Sequence, residues 1–438
     1  MEKFLRKLEK VIPKKLYKLS QPLYHYILAN TGAVMYGFPS KKIHVVGITG
    51  TKGKSSTTAF VNAVLEANGY KTAVLSTISF KIGKDERPNL FKMTMPGRFF
   101  VQKFLHNAVQ AGCEYAVIEM TSEGVRFYRH KGIHIDTLIF TNLTPEHIES
   151  HGSFDNYLKA KLRLAKAVAK SKKSVRRIIA NKDNPYGAHF MIHDVDHNIP
   201  YSLKDVEIIS QDENQSIIKY KNETIAVPLP GTFNIYNALA AITYGETQGV
   251  SVETMKQGIE SVKQIRGRVE KIMAGQDFTV VVDYAHTDDS LKKLYETFEP
   301  AGSRLGRELA GVHSGRKSNR KMIAVLGGTG GGRDSWKRAV MGAVADEYCD
   351  EIILTNEDPY DEDPLTIIAN IKEGVTKHEA KVIIDRRDAI REALKIAKKG
   401  DVVLITGKGT DPFIMGPNGS KVKWDDATVA REELLRLK

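Results

Sequence analysis

Between residues 43 and 69 the chain runs from an apolar stretch, IHVVGI, through the loop TGTKGKSST into the helical pattern TTAFVNAVLEANG. Few folds accept that order. A short apolar run feeding a Gly-Lys-Ser turn and then a helix is the opening of a βαβ unit, which needs a parallel sheet with helices over its faces. The same alternation continues through YAVIEM, TLIFTN and RIIAN. After a turn-rich GRVEK segment near residue 267 it restarts with FTVVVDYAH, MIAVLGG, EIILTN, KVIID and DVVLITG. The expected fold is therefore α/β: a short helical arm over 1–42, a central P-loop domain with a mostly parallel sheet over 43–267, and a Rossmann-like α/β domain over 268–438. At 438 residues the chain is long enough for two or three separate cores.

The loop after the first strand carries chemistry. Gly50 and Gly53 allow the backbone of Gly50, Thr51, Lys52 and Gly53 to curl with its amides toward phosphate oxygens, and the helix amino terminus adds favourable partial charge. Lys54 is placed to reach the terminal phosphates of ATP, Ser55 to hold Mg²⁺ through its hydroxyl, and Ser56 to complete the turn. The general pattern has a glycine five residues before the second one; here Ile48 stands there, with Gly47 beside it.

Composition narrows the remaining classes. With 42% hydrophobic and 27% charged residues the chain is ordinary for a globular protein. No apolar run approaches the roughly 18 residues of a spanning helix, and the charged start lacks the features of a secretory signal. A cytoplasmic location follows as the expectation. Cys113 and Cys349, the two cysteines, form no metal or disulfide pattern. The net charge of +13 is concentrated in residues 1–42, with nine basic and two acidic residues, and in SRLGRELAGVHSGRKSNRK (303–321), which reads as an exposed loop. No nucleic-acid motif accompanies either, so no nucleic-acid partner is expected. The basic start reads as an arm packed on the ATPase domain; weak contact with an anionic membrane surface is the alternative.

Further blocks follow in order: EMTSEGV (119–125), FTNLTPEHIESHG (140–152), YLKAKLRL (157–164), NKDN (181–184), GTFNIYNALAA (231–241), GRVE (267–270), VDYAHTDDSL (282–291), GGGRDSWKR (330–338) and ITGKGTD (405–411). Together with the glycine loop they resemble the Mur ligase family over residues 43–438. The branch that adds the third amino acid of the peptidoglycan stem matches most closely. The resemblance implies ATP-dependent amide ligation: ATP phosphorylates an acceptor carboxylate, and an amino acid's amine attacks the acyl phosphate. Its cofactors would be ATP and two Mg²⁺ ions. Its substrates would be a UDP-N-acetylmuramoyl-dipeptide-like acceptor and a free amino acid, and the enzyme would be a monomer. The same chemistry on a lipid-linked, archaeal-wall or γ-glutamyl acceptor, or a P-loop protein without ligase activity, are the alternatives.

The resemblance also assigns residues. Glu119 and His147 join Ser55 as metal ligands, and Lys161 falls where the family carries a carbamylated lysine; composition alone reads its stretch as a solvated basic helix. Asn234, Arg268, Asp283 and His286 match positions around the nucleotide, Arg268 at a domain hinge. Thr94, Thr121, Ser122 and Arg129 match positions that hold the acceptor, although the usual Asn-Thr-Thr-Pro reads Met93-Thr94-Met95-Pro96 and the usual Ser-Ser-His reads Thr121-Ser122-Glu123. Arg333 is placed to pair with the amino acid's α-carboxylate, and Gly407 belongs to the same pocket. Where diaminopimelate-selecting members carry Asp-Asn-Pro-Arg, this chain has Glu357-Asp358-Pro359-Tyr360, and Asp411 replaces a glutamate. An acidic loop without the arginine favours a distal ammonium over a second carboxylate, which points to lysine, ornithine or another basic amino acid. The family's separate uridine-binding domain has no counterpart in residues 1–42.

Overall fold

The computed structural model describes residues 14–146, 148–192, 194–299, 320–332 and 334–437, with side chains from residue 24 onward. The basic stretch at 303–319, His147 and Arg333 lie outside the described residues. Two compact units are formed: one from residues 1–144, 155–205 and 236–258, the other from 145–154, 206–235 and 259–438.

The first unit is built on an eight-stranded sheet: β1 (His44–Thr49), β2 (Thr72–Leu75), β3 (Ser79–Ile82), β4 (Asp85–Pro88), β5 (Tyr115–Glu119), β6 (Thr137–Phe140), β7 (Arg177–Asn181) and β8 (His197–Tyr201), in the order β4-β3-β2-β5-β1-β6-β7-β8. Pairing is parallel from β2 through β8, and only β3 and β4 run antiparallel at one edge. The run IHVVGI forms β1 because central strands are covered on both faces: Val45, Val46 and Ile48 are fully buried. In β1 and β5, Ile48 is in register with Glu119, which brings that carboxylate beside the start of the glycine loop. The helix Lys14–Met35 packs on the helix Arg98–Gln110 through Gly32 against Phe99, and its Ala33 lies against Gly132. No helix among the described residues is long and apolar enough to cross a membrane.

The second unit holds a six-stranded sheet: β12 (Glu270–Lys271), β13 (Thr279–Asp283), β14 (Met322–Leu326), β15 (Glu351–Leu354), β16 (Ala380–Val382) and β17 (Val402–Thr406), in the order β12-β13-β17-β14-β15-β16. All pairs are parallel except β12 with β13. Two buried layers cover its faces, one with Leu294, Tyr295 and Phe298, the other with Ile390, Leu394 and Leu434. A three-stranded antiparallel sheet, β9 to β11 (Glu207–Gln211, Ser216–Tyr220, Glu223–Val227), and a small hairpin, β18 (Phe413–Met415) with β19 (Lys421–Lys423), complete it.

Candidate functional site

In the first unit the glycine loop is wound tightly. Gly50 has φ +153° and Gly53 φ +80°, both in territory that side chains avoid, and a β-carbon on either would collide with Thr141 or Asn237. The loop is tied down by neighbours that sequence reading did not single out. The Thr51 amide donates to the Asn142 carbonyl (2.8 Å), the Lys52 amide to Asn142 Oδ1 (3.0 Å), and Thr141 Oγ1 to the Lys52 carbonyl (2.7 Å). Thr51 Oγ1 shares a hydrogen bond with Tyr157 OH at 3.0 Å. All of these anchors sit in the FTNLTP and YLKAK blocks, whose periodicity gave no hint of contact with the loop.

Lys54 opens the helix Lys54–Ala67 and folds back, its Nζ donating to the carbonyls of Gly50 (3.1 Å) and Thr51 (2.8 Å). Ser55 and Ser56 are buried at the helix head. Lys161 is 1% exposed and donates to the same Gly50 carbonyl at 2.7 Å, with its ammonium 4.8 Å from the centre of the Tyr157 ring. It is not on the solvated face that composition implied: at its place in the helix Phe154–Ala169 it points inward with Tyr157, Leu158 and Leu164. Lys159, two residues earlier, sits outside in an exposed pair with Asp155. Glu119, fully buried, accepts from the Thr77 amide (3.0 Å) and Thr77 Oγ1 (2.9 Å), and Thr77 Oγ1 lies 2.8 Å from Thr94 Oγ1. Thr77 thus connects a sequence-assigned metal ligand with a sequence-assigned acceptor residue.

Around the remaining acceptor positions, Thr121 caps the short helix Ser122–Arg126 by accepting from the Gly124 amide at 3.0 Å, and Ser122 is buried. Met95, at the departure from the family pattern, is fully buried and packs against Gly124. Glu123 is met by Arg126 at 3.7 Å, so the replacement of histidine by a carboxylate carries its own counter-charge. Arg129 donates to the Met95 carbonyl at 2.6 Å.

In the second unit the assigned residues gather at the carboxyl ends of the parallel strands, where open α/β sheets receive ligands. Asp283, ending β13, accepts the Val269 and Ala285 amides at 2.7 Å each; burial pushes its carboxyl above the usual range against the pull of Arg268. The Arg268 guanidinium lies 4.5 Å from the centre of the Tyr284 ring. His286 holds the Tyr284 carbonyl through Nδ1 (2.8 Å) and Glu146 through Nε2 (3.0 Å). Asn234 donates to the Pro230 carbonyl at 2.8 Å and is buried.

In the acidic loop after β15, Asp358 and Asp411, which the sequence assigns to an incoming ammonium, hold an ammonium of the chain itself. Lys408, fully buried, donates to Asp358 Oδ1 (2.9 Å), Asp411 Oδ2 (3.2 Å) and the Phe413 carbonyl (2.7 Å). Glu362 grips Arg338 through both oxygens, at 2.6 and 2.9 Å, and Asp361 accepts the Asn418 amide. The charge of this loop is therefore largely met from within. Glu357 differs: it is 3% exposed, Oε1 accepts from Thr329 Oγ1 at 2.8 Å, and Oε2, directly against Gly407, has no hydrogen-bond partner among the described residues. A buried carboxylate oxygen left open in this way is costly unless a donor arrives. Lys408 sits inside the GKG motif, but nothing in the sequence showed which acids it would meet.

A strand, glycine loop and lysine-headed helix in one unit, with a second parallel α/β unit bearing polar groups at its strand ends, define a P-loop ligase-like α/β protein. Residues 48–245 match the Mur ligase middle domain and residues 267–409 the Mur ligase, glutamate ligase domain. The chain belongs to the Mur ligase family of ATP-dependent amide ligases. It is 34% identical over 433 residues to the UDP-N-acetylmuramoyl-L-alanyl-D-glutamate–2,6-diaminopimelate ligase of Syntrophomonas wolfei, covering 96% of this chain and 84% of that one. It is 35% identical over 437 residues to the UDP-N-acetylmuramyl-tripeptide synthetase of a Roseiflexus species, covering 94% and 82%. A solved UDP-N-acetylmuramoyl-L-alanyl-D-glutamate–2,6-diaminopimelate ligase aligns with TM-score 0.57 and 27% identity, over 91% of this chain and 79% of that one.

Proposed function

We propose that the protein joins a diamino acid to the terminal carboxylate of a muramoyl-dipeptide acceptor, at the expense of ATP, in peptidoglycan precursor synthesis. The observation that carries this reading is the convergence of Lys54 and the buried Lys161 on the Gly50 carbonyl, with Glu119 in register beside the loop. A lysine at the head of a helix is positioned for the charge that accumulates on a transferred phosphoryl group. The loop amides and the helix terminus would orient the triphosphate, and Thr94 and Thr77 would place the acceptor's carboxylate near it. Attack by that carboxylate on the terminal phosphorus releases ADP and leaves an acyl phosphate. The amine then adds to the acyl carbon, and collapse of the tetrahedral intermediate expels inorganic phosphate and leaves the amide.

The donor set fits magnesium. Among the described residues no three His, Cys, Asp or Glu side chains gather as a metal cluster. Magnesium is usually held by one or two carboxylates together with phosphate oxygens and water, and Ser55 and Glu119 supply hard oxygens of that kind. The ion would offset negative charge on the phosphates. At Lys161 a carbamate would exchange an enclosed cation for two more such oxygens.

For the amino acid, we infer lysine or ornithine in preference to diaminopimelate. Tyr360 stands where an arginine would take a second carboxylate, and Glu357 offers one open carboxylate oxygen to an ammonium. Initial-rate ADP release with UDP-N-acetylmuramoyl-dipeptide and a panel of lysine, ornithine and diaminopimelate tests both parts. Release should require acceptor and amino acid together and be lost in Lys54→Ala. Release without acceptor would overturn the ligase reading, and faster turnover with diaminopimelate the choice of amino acid.

A further inference from the structure

Several nitrogen-bearing side chains of the first unit gather at Phe127, with the Arg126 guanidinium 5.7 Å from its ring centre. Arg98, the first residue of the helix Arg98–Gln110, donates Nε to the Phe127 carbonyl at 2.9 Å. The Arg129 guanidinium stands 5.5 Å from the ring centre, and its Nε is buried with no hydrogen-bond partner among the described residues. His25, from the helix Lys14–Met35, meets the same ring edge-on at 5.5 Å, and its buried Nδ1 likewise has no hydrogen-bond partner among the described residues. Among the described residues Arg98 and Arg129 bond to backbone carbonyls, and neither forms an ion pair with a carboxylate. Glu123 lies within Coulombic reach of Arg129 but is itself paired with Arg126.

Two half-buried guanidiniums beside Phe127, neither in an ion pair with a carboxylate among the described residues, repel each other. The strain shows in their protonation: burial and Arg129 bring Arg98 down to about 10, and burial with both arginines brings His25 down to about 4. His25 is thus neutral near pH 7 and able to donate from an open nitrogen. Such a constellation is favourable only with an anion in it, and more so with a dianion than with one carboxylate, because two forks then share two charges.

We propose that Arg98, Arg129 and His25 receive a phosphate group on the acceptor's handle, away from the carboxylate that reacts. Resting on the ligase reading above, this gives the arm Lys14–Met35 a part in acceptor recognition. The arm contributes the imidazole, and Arg98 contributes a cation that the acceptor residues named from sequence did not include. The phosphate could belong to a nucleotide or to a lipid carrier; both present the same group to the two guanidiniums.

Calorimetric titration of the full chain, with ADP saturating the glycine loop, tests the proposal without turnover. The probes are UDP-N-acetylmuramoyl-dipeptide, a detergent-solubilised polyprenyl-diphosphate-linked muramoyl-dipeptide, and phosphate-free N-acetylmuramoyl-dipeptide. At least one phosphate-bearing probe should bind roughly tenfold or more tightly than the phosphate-free one. Whichever does so identifies the handle. In Arg98→Gln that preference should fall to about twofold, and Arg98→Lys should keep part of it, with thermal melts confirming that both variants fold. Equal binding of all three probes by the wild type, or no binding of any, overturns the proposal, as does an undiminished preference in Arg98→Gln. ADP release in the turnover assay judges the ligase reading separately.

Discussion

Replacing Lys408 by methionine should destabilise the second unit more than most single substitutions in it. The Lys408 ammonium is fully buried and makes three bonds, two to carboxylates and one to the Phe413 carbonyl. Methionine nearly fills the volume, so the loss is electrostatic rather than a cavity. Asp411, 13% exposed at its side chain, can regain water more readily than Asp358, which is 4% exposed and still accepts the Met415 amide. Removing one partner of a buried pair typically costs about 3–5 kcal/mol. With one of the two acids able to rehydrate, we expect about 3 kcal/mol from urea denaturation at pH 7. The double variant Lys408→Met/Asp358→Asn removes one of the two acids that faced the ammonium and should recover about 2 kcal/mol of that loss. A Lys408→Met cost below about 1 kcal/mol, or no recovery in the double variant, would refute the placement of Lys408 as the internal counter-ion.

Other consequences follow from the same geometry. Glu357→Gln should raise KM for the amino acid about tenfold while leaving KM for ATP within about twofold, as measured by initial rates; equal effects on both would remove Glu357 from the amino-acid pocket. Gly53→Ala places a side chain at φ +80° against Asn237, and the left-handed conformation alone should cost about 1–2 kcal/mol, read as weaker nucleotide binding by calorimetry. His130 is 3% exposed, and burial first, then the charges of Lys131 and Arg163, hold it down at about 3. It stays neutral in the fold while the unfolded chain takes up a proton below about 6.5, so stability falls as pH drops from 6.5 toward 3. At pH 4.5 the loss from this group should be about 2–3 kcal/mol relative to pH 7.5, and His130→Phe should flatten that part of the urea-midpoint profile.

Much of the frame was legible in residue order because its causes are local. Doubly covered parallel strands must be apolar throughout, so IHVVGI and DVVLITG announced themselves, and the left-handed turns at Gly50 and Gly53 require glycine wherever they occur. Lys54 and Ser55 were readable for the same reason: loop and helix head are contiguous in the chain. What the fold alone decided lies in side chains that meet across long separations. Local pattern placed Lys161 among solvated lysines, yet helix phase and packing on the loop turn it inward to the Gly50 carbonyl, 111 positions away. Thr77, Asn142 and Tyr157 carry no motif signal and act only through where their strands and helices end. The acidic run Glu357 to Glu362 reads as surplus negative charge until folding brings Lys408 and Arg338 to it. Net charge along a segment is a property of sequence, but which charges remain unpaired is settled by three-dimensional proximity. That difference leaves Glu357 with a buried oxygen open to a ligand.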